Sequence, residues 1–337
     1  MKKLVIISNE SIFCYGNNFF CDNIDMKSSP EGLNKYYKVN IIGKLSKKIR
    51  THQINVSNIN AYKNLITYII GVIKSFKEKD AVYIVFSISP FTFFATLLLK
   101  LFKKKHLVYL RSDGYGEYKA ILGVFGYFIY HFMFTIISNT TKLVSCRRYI
   151  LKNKSGDVIN PSQLSSSWFQ NHKEPSLDHA RLLYVGRIKV EKGIFSLLKI
   201  LKKSNLQISI VGAEKMNNEI NQKNVNVYEI EKNEKNLIKH YDDNNIFVLP
   251  SFTEGHPMAL LEALARRRPV IIFEEISHVI NEKKGVFIAK RNYQSFNQQV
   301  EHIMKNYNKI QTQMINNKLP TKDDFLKELS ETILKNS

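Results

Sequence analysis

The chain has 337 residues, 44% hydrophobic and 23% charged, a length that holds two domains with separate cores and a composition that excludes wholesale disorder. Fifty Lys and Arg against 29 Asp and Glu give a formal charge of +21, which attracts anions: nucleic acid, an acidic membrane leaflet or phosphorylated substrates. Three cysteines, Cys14, Cys21 and Cys146, are odd in number and lack metal-ligand spacing, so they read as buried small side chains in a reduced, cytoplasmic setting.

Met1-Lys2-Lys3 before an apolar run has the start of a signal peptide, but Ser8-Asn9-Glu10 end the run. Residues 4–7 therefore read as a first strand. Residues 39–42 follow as a second strand, 44–50 as a basic loop, 64–76 as an amphipathic helix, 81–86 as a strand and 91–102 as a helix. The strand 106–110 runs into Arg111-Ser112-Asp113-Gly114-Tyr115-Gly116-Glu117, a polar loop at a strand's carboxyl end, where open α/β sheets bind ligands. Residues 121–138 carry no formal charge and reach the minimum length for a membrane span, but the aromatics and nearby lysines suit a helix lying in the interface, with a core helix as the alternative. Residues 142–145 read as a strand and 147–154 as a helix, and 158–175, which loses its periodicity, as a linker.

A second series follows, with strands at 181–185, 207–211, 225–230, 246–249, 270–273 and 285–288. Helices are expected at 193–201, 237–241, from Pro257 to Ala265, at 293–307 and at 322–335. Alternating β and α in both halves predicts two doubly wound parallel sheets facing each other across a cleft. There is no tandem repeat.

Two turns of the second half carry the chemistry. After the strand 181–185, Gly186 and Arg187 enter a loop that ends at Lys192 and Gly193; two cations near a helix start make a diphosphate site, and an exposed basic turn is the plain alternative. After the strand 246–249 come Pro250-Ser251-Phe252-Thr253-Glu254-Gly255-His256-Pro257-Met258 and then Glu262. A helix start favours a phosphate, and flanking carboxylates accept hydrogen bonds from sugar hydroxyls. The Arg266-Arg267-Arg268 triplet follows the helix that holds Glu262 and reads as charge complementing its carboxyl end, with contact to phosphates as the alternative.

The pattern G-R-x-x-x-E-K-G at 186–193, with P-S-x-x-E-G-x-P-x-x-L-L-E-A at 250–263, resembles glycosyltransferase family 4, a GT-B group, and contains its E-x7-E pair as Glu254 and Glu262. The resemblance implies a GT-B fold, with an acceptor-binding domain at 1–172, a nucleotide-sugar domain at 178–318 and a C-terminal helix, 320–337, packing back onto the first. It implies that Arg187 and Lys192 hold the donor diphosphate beside Gly186, that Glu254 holds the transferred sugar and Glu262 the ribose. Backbone N–H groups near Gly255, His256, Pro257 and Met258 would complete the cradle, with Glu254, Arg187 and Lys192 as the catalytic set. No D-x-D triplet occurs, so neither metal nor other cofactor is expected, and the resemblance implies retention of configuration.

Three features depart from the family. The Arg triplet replaces a small residue and Gly before Pro269, residues 274–278 replace a Gly-Gly-x-x-Glu loop, and no Gly-Gly loop follows the first strand. Arg111 and Asp113 stand as acceptor-side candidates, a salt bridge or turn cap being the alternative. The expected partners are a UDP- or GDP-linked sugar, a glycan or lipid-linked acceptor and an anionic membrane surface, with no nucleic acid. The expected protein is a cytoplasmic enzyme on the inner membrane face, making bacterial surface polysaccharide of capsule or lipopolysaccharide type. The rival is a catalytically inactive or basic binding protein, a transferase partner subunit or nucleic-acid binder, but no aromatic and basic interleaving of a nucleic-acid module is present.

Overall fold

The computed structural model describes residues 1–213, 220, 223–280 and 282–336. They form two units, Met1–Pro161 with Lys322–Ser337, and Ser162–Thr321, so residues 162–172 lie with the second unit and not the first.

The first unit runs β1 (Lys3–Tyr15), β2 (Asn18–Cys21), α1 (Ile24–Leu33), β3 (Lys38–Ser46), β4 (His52–Ile54), β5 (Asn58–Tyr62), α2 (Leu65–Ser75), β6 (Val82–Phe86), α3 (Pro90–Leu101), β7 (His106–Leu110), α4 (Gly114–Thr140), β8 (Lys142–Ser145) and β9 (Gly156–Val158). Its parallel strands lie in the order β5-β3-β1-β6-β7-β8-β9, and β2 and β4 add antiparallel pairs beyond β1. Successive side chains of β1 point to opposite faces, so Leu4 and Ile6 enter one core and Val5 and Ile7 the other. The polar Ser8-Asn9-Glu10 do not end this strand. It shifts register between Ile7 and Ser11 and continues to Tyr15, held there by β2. The helix expected at 147–154 is only the 3₁₀ turn Arg148–Leu151, because Lys152 and Asn153 turn left-handed at φ 46° and 64°.

Among the described residues α4 is the one helix long and apolar enough to cross a membrane by length and composition. It breaks at Gly123, whose φ of 63° and ψ of −145° are not helical.

The second unit runs β10 (Arg181–Val185), α5 (Ile194–Leu201), β11 (Gln207–Ala213), β12 (Val225–Glu229), α6 (Glu234–Asp243), β13 (Ile246–Leu249), α7 (Met258–Ala265), β14 (Val270–Phe273), β15 (Val286–Ala289), α8 (Tyr293–Lys305) and α9 (Tyr307–Met314). The helix expected at 293–307 breaks at Asn306, which leaves the helical region at φ −115° and ψ 18°. All pairings in the sheet β12-β11-β10-β13-β14-β15 are parallel. The strand order reverses between β10 and β13, and a doubly wound sheet opens a crevice at the carboxyl ends of the strands at such a point.

The last helix, α10 (Lys322–Lys335), packs on the first unit through buried Phe325, Leu326, Leu329 and Ile333. Gly32 leaves room for it, since a Cβ there would stand 2.3 Å from Leu326 Cδ1. The Tyr37 hydroxyl donates to the Ser330 carbonyl at 3.1 Å.

The segment expected as a linker is fastened by the arginine triplet. Arg266 and Arg268 are buried, 1% and 2% exposed, and do not serve as solvated charge at a helix end. Arg266 makes a two-pronged contact with Asp242, at 2.9 and 2.8 Å, and donates to the carbonyls of Trp168, Gln170 and Asn171. Arg268 donates to the carbonyls of Lys173 and Tyr241. These guanidinium forks supply the donors that an irregular strand of backbone lacks. Trp168 is buried with its ring edge-on to Tyr241 at 5.4 Å. Arg267, between them, takes φ 54°, the left-handed position after a helix that glycine fills most easily.

Removing one partner from such a cluster strands a buried charge. Arg266→Ala should therefore cost the second unit about 3–5 kcal/mol, against about 0.5 kcal/mol for Arg267→Ala, as read by urea unfolding of each variant.

Candidate active site

Both turns singled out in the sequence leave the sheet at its switch point, Gly186 after β10 and Pro250 after β13. Backbone geometry brings them into contact. Gly193 has φ 68°, and a Cβ on it would stand 1.8 Å from the Pro250 carbonyl oxygen. The Phe252 N–H donates to the Glu191 carbonyl at 3.1 Å. Gly186 has φ 154°, and the backbone of Gly212 approaches so closely that a Cβ on Gly212 would stand 2.2 Å from the Gly186 oxygen. These two close approaches need glycine.

The consequence is a charged cluster. Lys192 Nζ lies 2.6 Å from Glu254 Oε1, which also accepts from the Ser251 hydroxyl at 2.6 Å. The carboxylate is 10% exposed and the ammonium 24%, so the pair is largely shielded from water and screened less than a surface pair. Lys192 ends a 3₁₀ turn, Val190–Lys192, and α5 begins only after Gly193. Arg187 is not drawn into the cluster: its side chain is exposed, while its carbonyl accepts from the Tyr184 hydroxyl at 2.8 Å.

Pro257 is the residue before the first turn of α7, which starts at Met258, one position later than the sequence suggested. Among the described residues no side chain caps this helix end. Gly255 and His256 are half-buried in the loop leading to it. Glu262, further along α7, is half-buried, and its Oε2 accepts from the Tyr241 hydroxyl at 2.7 Å. Burial pushes its carboxyl up to about 7, against the lowering effect of the Tyr241 hydrogen bond.

In the first unit, Arg111 lies with its guanidinium 5.1 Å from the centre of the Phe86 ring. Its Nε and Nη1 are buried without a hydrogen-bond partner among the described residues. Asp113 is engaged otherwise: it caps α4 by accepting from the Tyr115 N–H at 3.2 Å and lies 3.5 Å from Lys152. Cys21 and Cys146 are buried, and burial pushes their thiols up to about 12 and about 11. Among the described residues no group of three or more His, Cys, Asp or Glu side chains is placed to hold a metal ion.

Residues 167–319 match the family model described as glycosyl transferases group 1. The match covers a little under half of the chain, nearly all of it in the second unit. A capsular polysaccharide biosynthesis glycosyltransferase, CapM of Staphylococcus aureus, is 29% identical over 136 residues, 36% of either chain. An uncharacterised glycosyltransferase of Methanocaldococcus jannaschii is 27% identical over 208 residues, 52% of this chain and 50% of that protein. The matched region thus spans half or less of these curated relatives. Among solved structures, the lipopolysaccharide outer core galactosyltransferase WaaB aligns with a TM-score of 0.67 at 14% identity, over 99% of this chain and 100% of that one. The sucrose-phosphate synthase of Thermosynechococcus elongatus gives 0.67 at 14% identity, over 99% and 97%. At such identities the likeness concerns the fold, which is GT-B with two Rossmann-like parallel-sheet units.

Within the segment that matches this family model, sequence reasoning passed over four residues that build the site. Arg291 is stacked on the rings of Phe252 and Phe273, 4.1 and 4.3 Å from their centres, and donates to the Pro250 carbonyl at 2.9 Å. It follows β15, another carboxyl strand end of the same sheet, and that position was the available signal. Tyr241 lies on α6 with no motif to mark it, and Gly212 is the last residue but one of β11, whose apolar run hid it. His278, in the segment that replaces the family's glycine loop, is 2.7 Å by its Nε2 from the Glu254 carbonyl oxygen. A polar cavity of about 500 Å³ lies elsewhere, at the amino ends of β10 to β12, lined by Arg181, Gln207, Asn226 and His240 among others.

Two outcomes follow from the geometry. Gly193→Ala should destabilise the second unit by at least about 1–2 kcal/mol, the cost of a left-handed alanine alone, whereas Gly255→Ala, with nothing within 4 Å of its Cβ, should stay within about 0.5 kcal/mol; thermal unfolding distinguishes them. Glu262 holds its proton in the folded state from its ordinary 4.5 to about 7. Its contribution to stability is thus fully present below 4.5 and lost as pH rises through 7, and Glu262→Gln should remove that decline from a series of melting temperatures between pH 4 and 8.

Proposed function

We propose that the chain is a retaining glycosyltransferase that moves a hexose from a UDP- or GDP-linked donor to a glycan acceptor carried on a lipid. Its place would be the cytoplasmic face of the membrane, in bacterial surface polysaccharide synthesis. The observation that carries the reading is the Lys192–Glu254 pair beside the uncapped start of α7, at the switch point of a group 1 domain. The relatives support the wider setting: CapM is named for capsular polysaccharide biosynthesis and WaaB for the lipopolysaccharide outer core. A solved structure of Anabaena HepE, at TM-score 0.67, contains UDP and glucose.

The proposed mechanism uses charges the chain already holds. Breaking the bond between sugar and diphosphate builds negative charge on the leaving group. Lys192, Arg187 and the first N–H groups of α7 stabilise that charge electrostatically, and no metal is required for this role. Lys192 is now neutralised by Glu254, and a diphosphate would share it. Glu254 would then accept hydrogen bonds from hydroxyls of the transferred sugar, with Ser251 and the His278 contact fixing its loop. Glu262 would accept from ribose hydroxyls with one oxygen while Tyr241 holds the other. Glu254 is a positioning group here: the acceptor hydroxyl attacks from the face the diphosphate leaves, and a donor phosphate oxygen takes its proton. Arg111, with free buried donors, suits an anionic group on the acceptor, a role the capped Asp113 is less placed to share.

In a transfer assay over a panel of nucleotide sugars and lipid-linked acceptors, Lys192→Ala and Glu254→Ala should each lower kcat about 10²–10³-fold, as removal of one preorganised electrostatic contact does. The rival, an inactive or basic binding protein, is the answer if no donor is turned over and neither substitution changes the affinity for UDP or GDP.

A further inference from the structure

Three helices of the first unit carry apolar side chains on their outer as well as their inner faces. On α2, Tyr68 and Val72 enter the core while Ile66, Ile70 and Ile73 point outward, Ile66 at 73% exposure. On α3, Phe93 and Leu99 are buried while Phe94 and Leu101 are exposed. Between these helices runs an apolar groove of about 440 Å³, lined by Leu65, Ile66, Ile69, Ile70, Phe94 and Leu101 among others. The next helix, α4, packs beside α3, its exposed Phe132 lying 6.1 Å from the buried Phe93, ring centre to ring centre. There Ile121, Val124, Phe125 and Phe128 are all exposed, Phe125 at 80%. An apolar surface of this extent on one side of a unit marks an interaction site.

The charges around it select the partner. Lys63, Lys74 and Lys77 flank α2, Lys100 and Lys103 end α3, and Lys119 lies on the first arm of α4; all are exposed. Between residues 63 and 141 there are ten Lys and Arg against four Asp and Glu. Two copies of such a surface would repel each other, whereas an anionic leaflet attracts both its parts, the lysines to headgroups and the apolar residues to acyl chains. Spanning is excluded by the construction of α4. The break at Gly123 leaves an arm of residues 124–140, about 25 Å long, short of a hydrocarbon core of about 30 Å. Tyr130, Met133, Phe134 and Ile137 on that arm belong to the unit's own core.

We propose that the outer face of α2, α3 and α4 seats the first unit on an anionic lipid bilayer, with Ile66, Ile70, Phe94, Leu101, Phe125 and Phe128 immersed and the lysines at headgroup level. This names the surface behind the membrane location proposed above, adds α2 and α3 to the stretch flagged in the sequence, and stands on the first unit alone.

The test is co-sedimentation of the full chain with vesicles of phosphatidylcholine, with and without phosphatidylglycerol. The chain should pellet with the anionic vesicles. Ile66→Glu with Ile70→Glu, or Phe125→Ser with Phe128→Ser, should each weaken binding by about tenfold or more, and each lysine replaced by about fivefold. Circular dichroism and thermal unfolding of the same preparations establish that these variants are folded, and Lys192→Ala should pellet like the parent chain even if no transfer activity is found. The proposal is overturned if the parent chain stays in the supernatant with anionic vesicles. It is equally overturned if folded variants pellet unchanged, or if sedimentation velocity shows a dimer that the same substitutions dissociate.

Discussion

The carbonyl oxygen of Pro250 occupies the space where a side chain on residue 193 would stand, and most of the candidate site depends on that approach. It sets two loops from different strands against each other, so that Lys192 from one reaches Glu254 from the other. Arg291 donates to the same carbonyl, with its guanidinium close to two aromatic rings, which limits the freedom of the Pro250 turn. A charge pair on two mobile loops would cost ordering entropy when it formed. Here the backbone contacts, Glu191 to Phe252 included, keep the loops together.

A second set of constraints lies beneath the helix that carries Glu262. Asp242 and Tyr241 are consecutive on α6: the first receives Arg266, and the second donates to Glu262 while its carbonyl receives Arg268. The irregular segment through Trp168 is therefore tied to the same residues that orient the carboxylate. The arginines do structural work, and the anion-binding part proposed above falls to Lys192, Arg187 and the start of α7. Both halves of the site thus rest on buried polar contacts whose partners are satisfied.

Much of this was legible in the sequence because it is local. The strands at 106–110, 181–185, 246–249 and 270–273 are short apolar runs bounded by turn residues, and the structure has them at those positions. The two glycosyltransferase-like patterns fall on the turns that the sheet brings together. What could not be read depends on distant partners. Ser8-Asn9-Glu10 look like the end of a strand until β2 supplies the pairing that carries β1 onward. Three consecutive arginines look solvated until Asp242 and a row of carbonyls appear around two of them. The outward isoleucines of α2 were hidden for a related reason, since a helix apolar on both sides gives no sign of which face meets the core.

Amide hydrogen exchange of the full chain, with and without saturating UDP and then GDP, bears most directly on the claim that the paired turns are a nucleotide site. One of the two nucleotides should slow exchange in residues 186–193 and 250–262, leaving the segment around the polar cavity, 226–244, unchanged except at Tyr241. Protection centred on that cavity, or none at the two turns with either nucleotide, would contradict it.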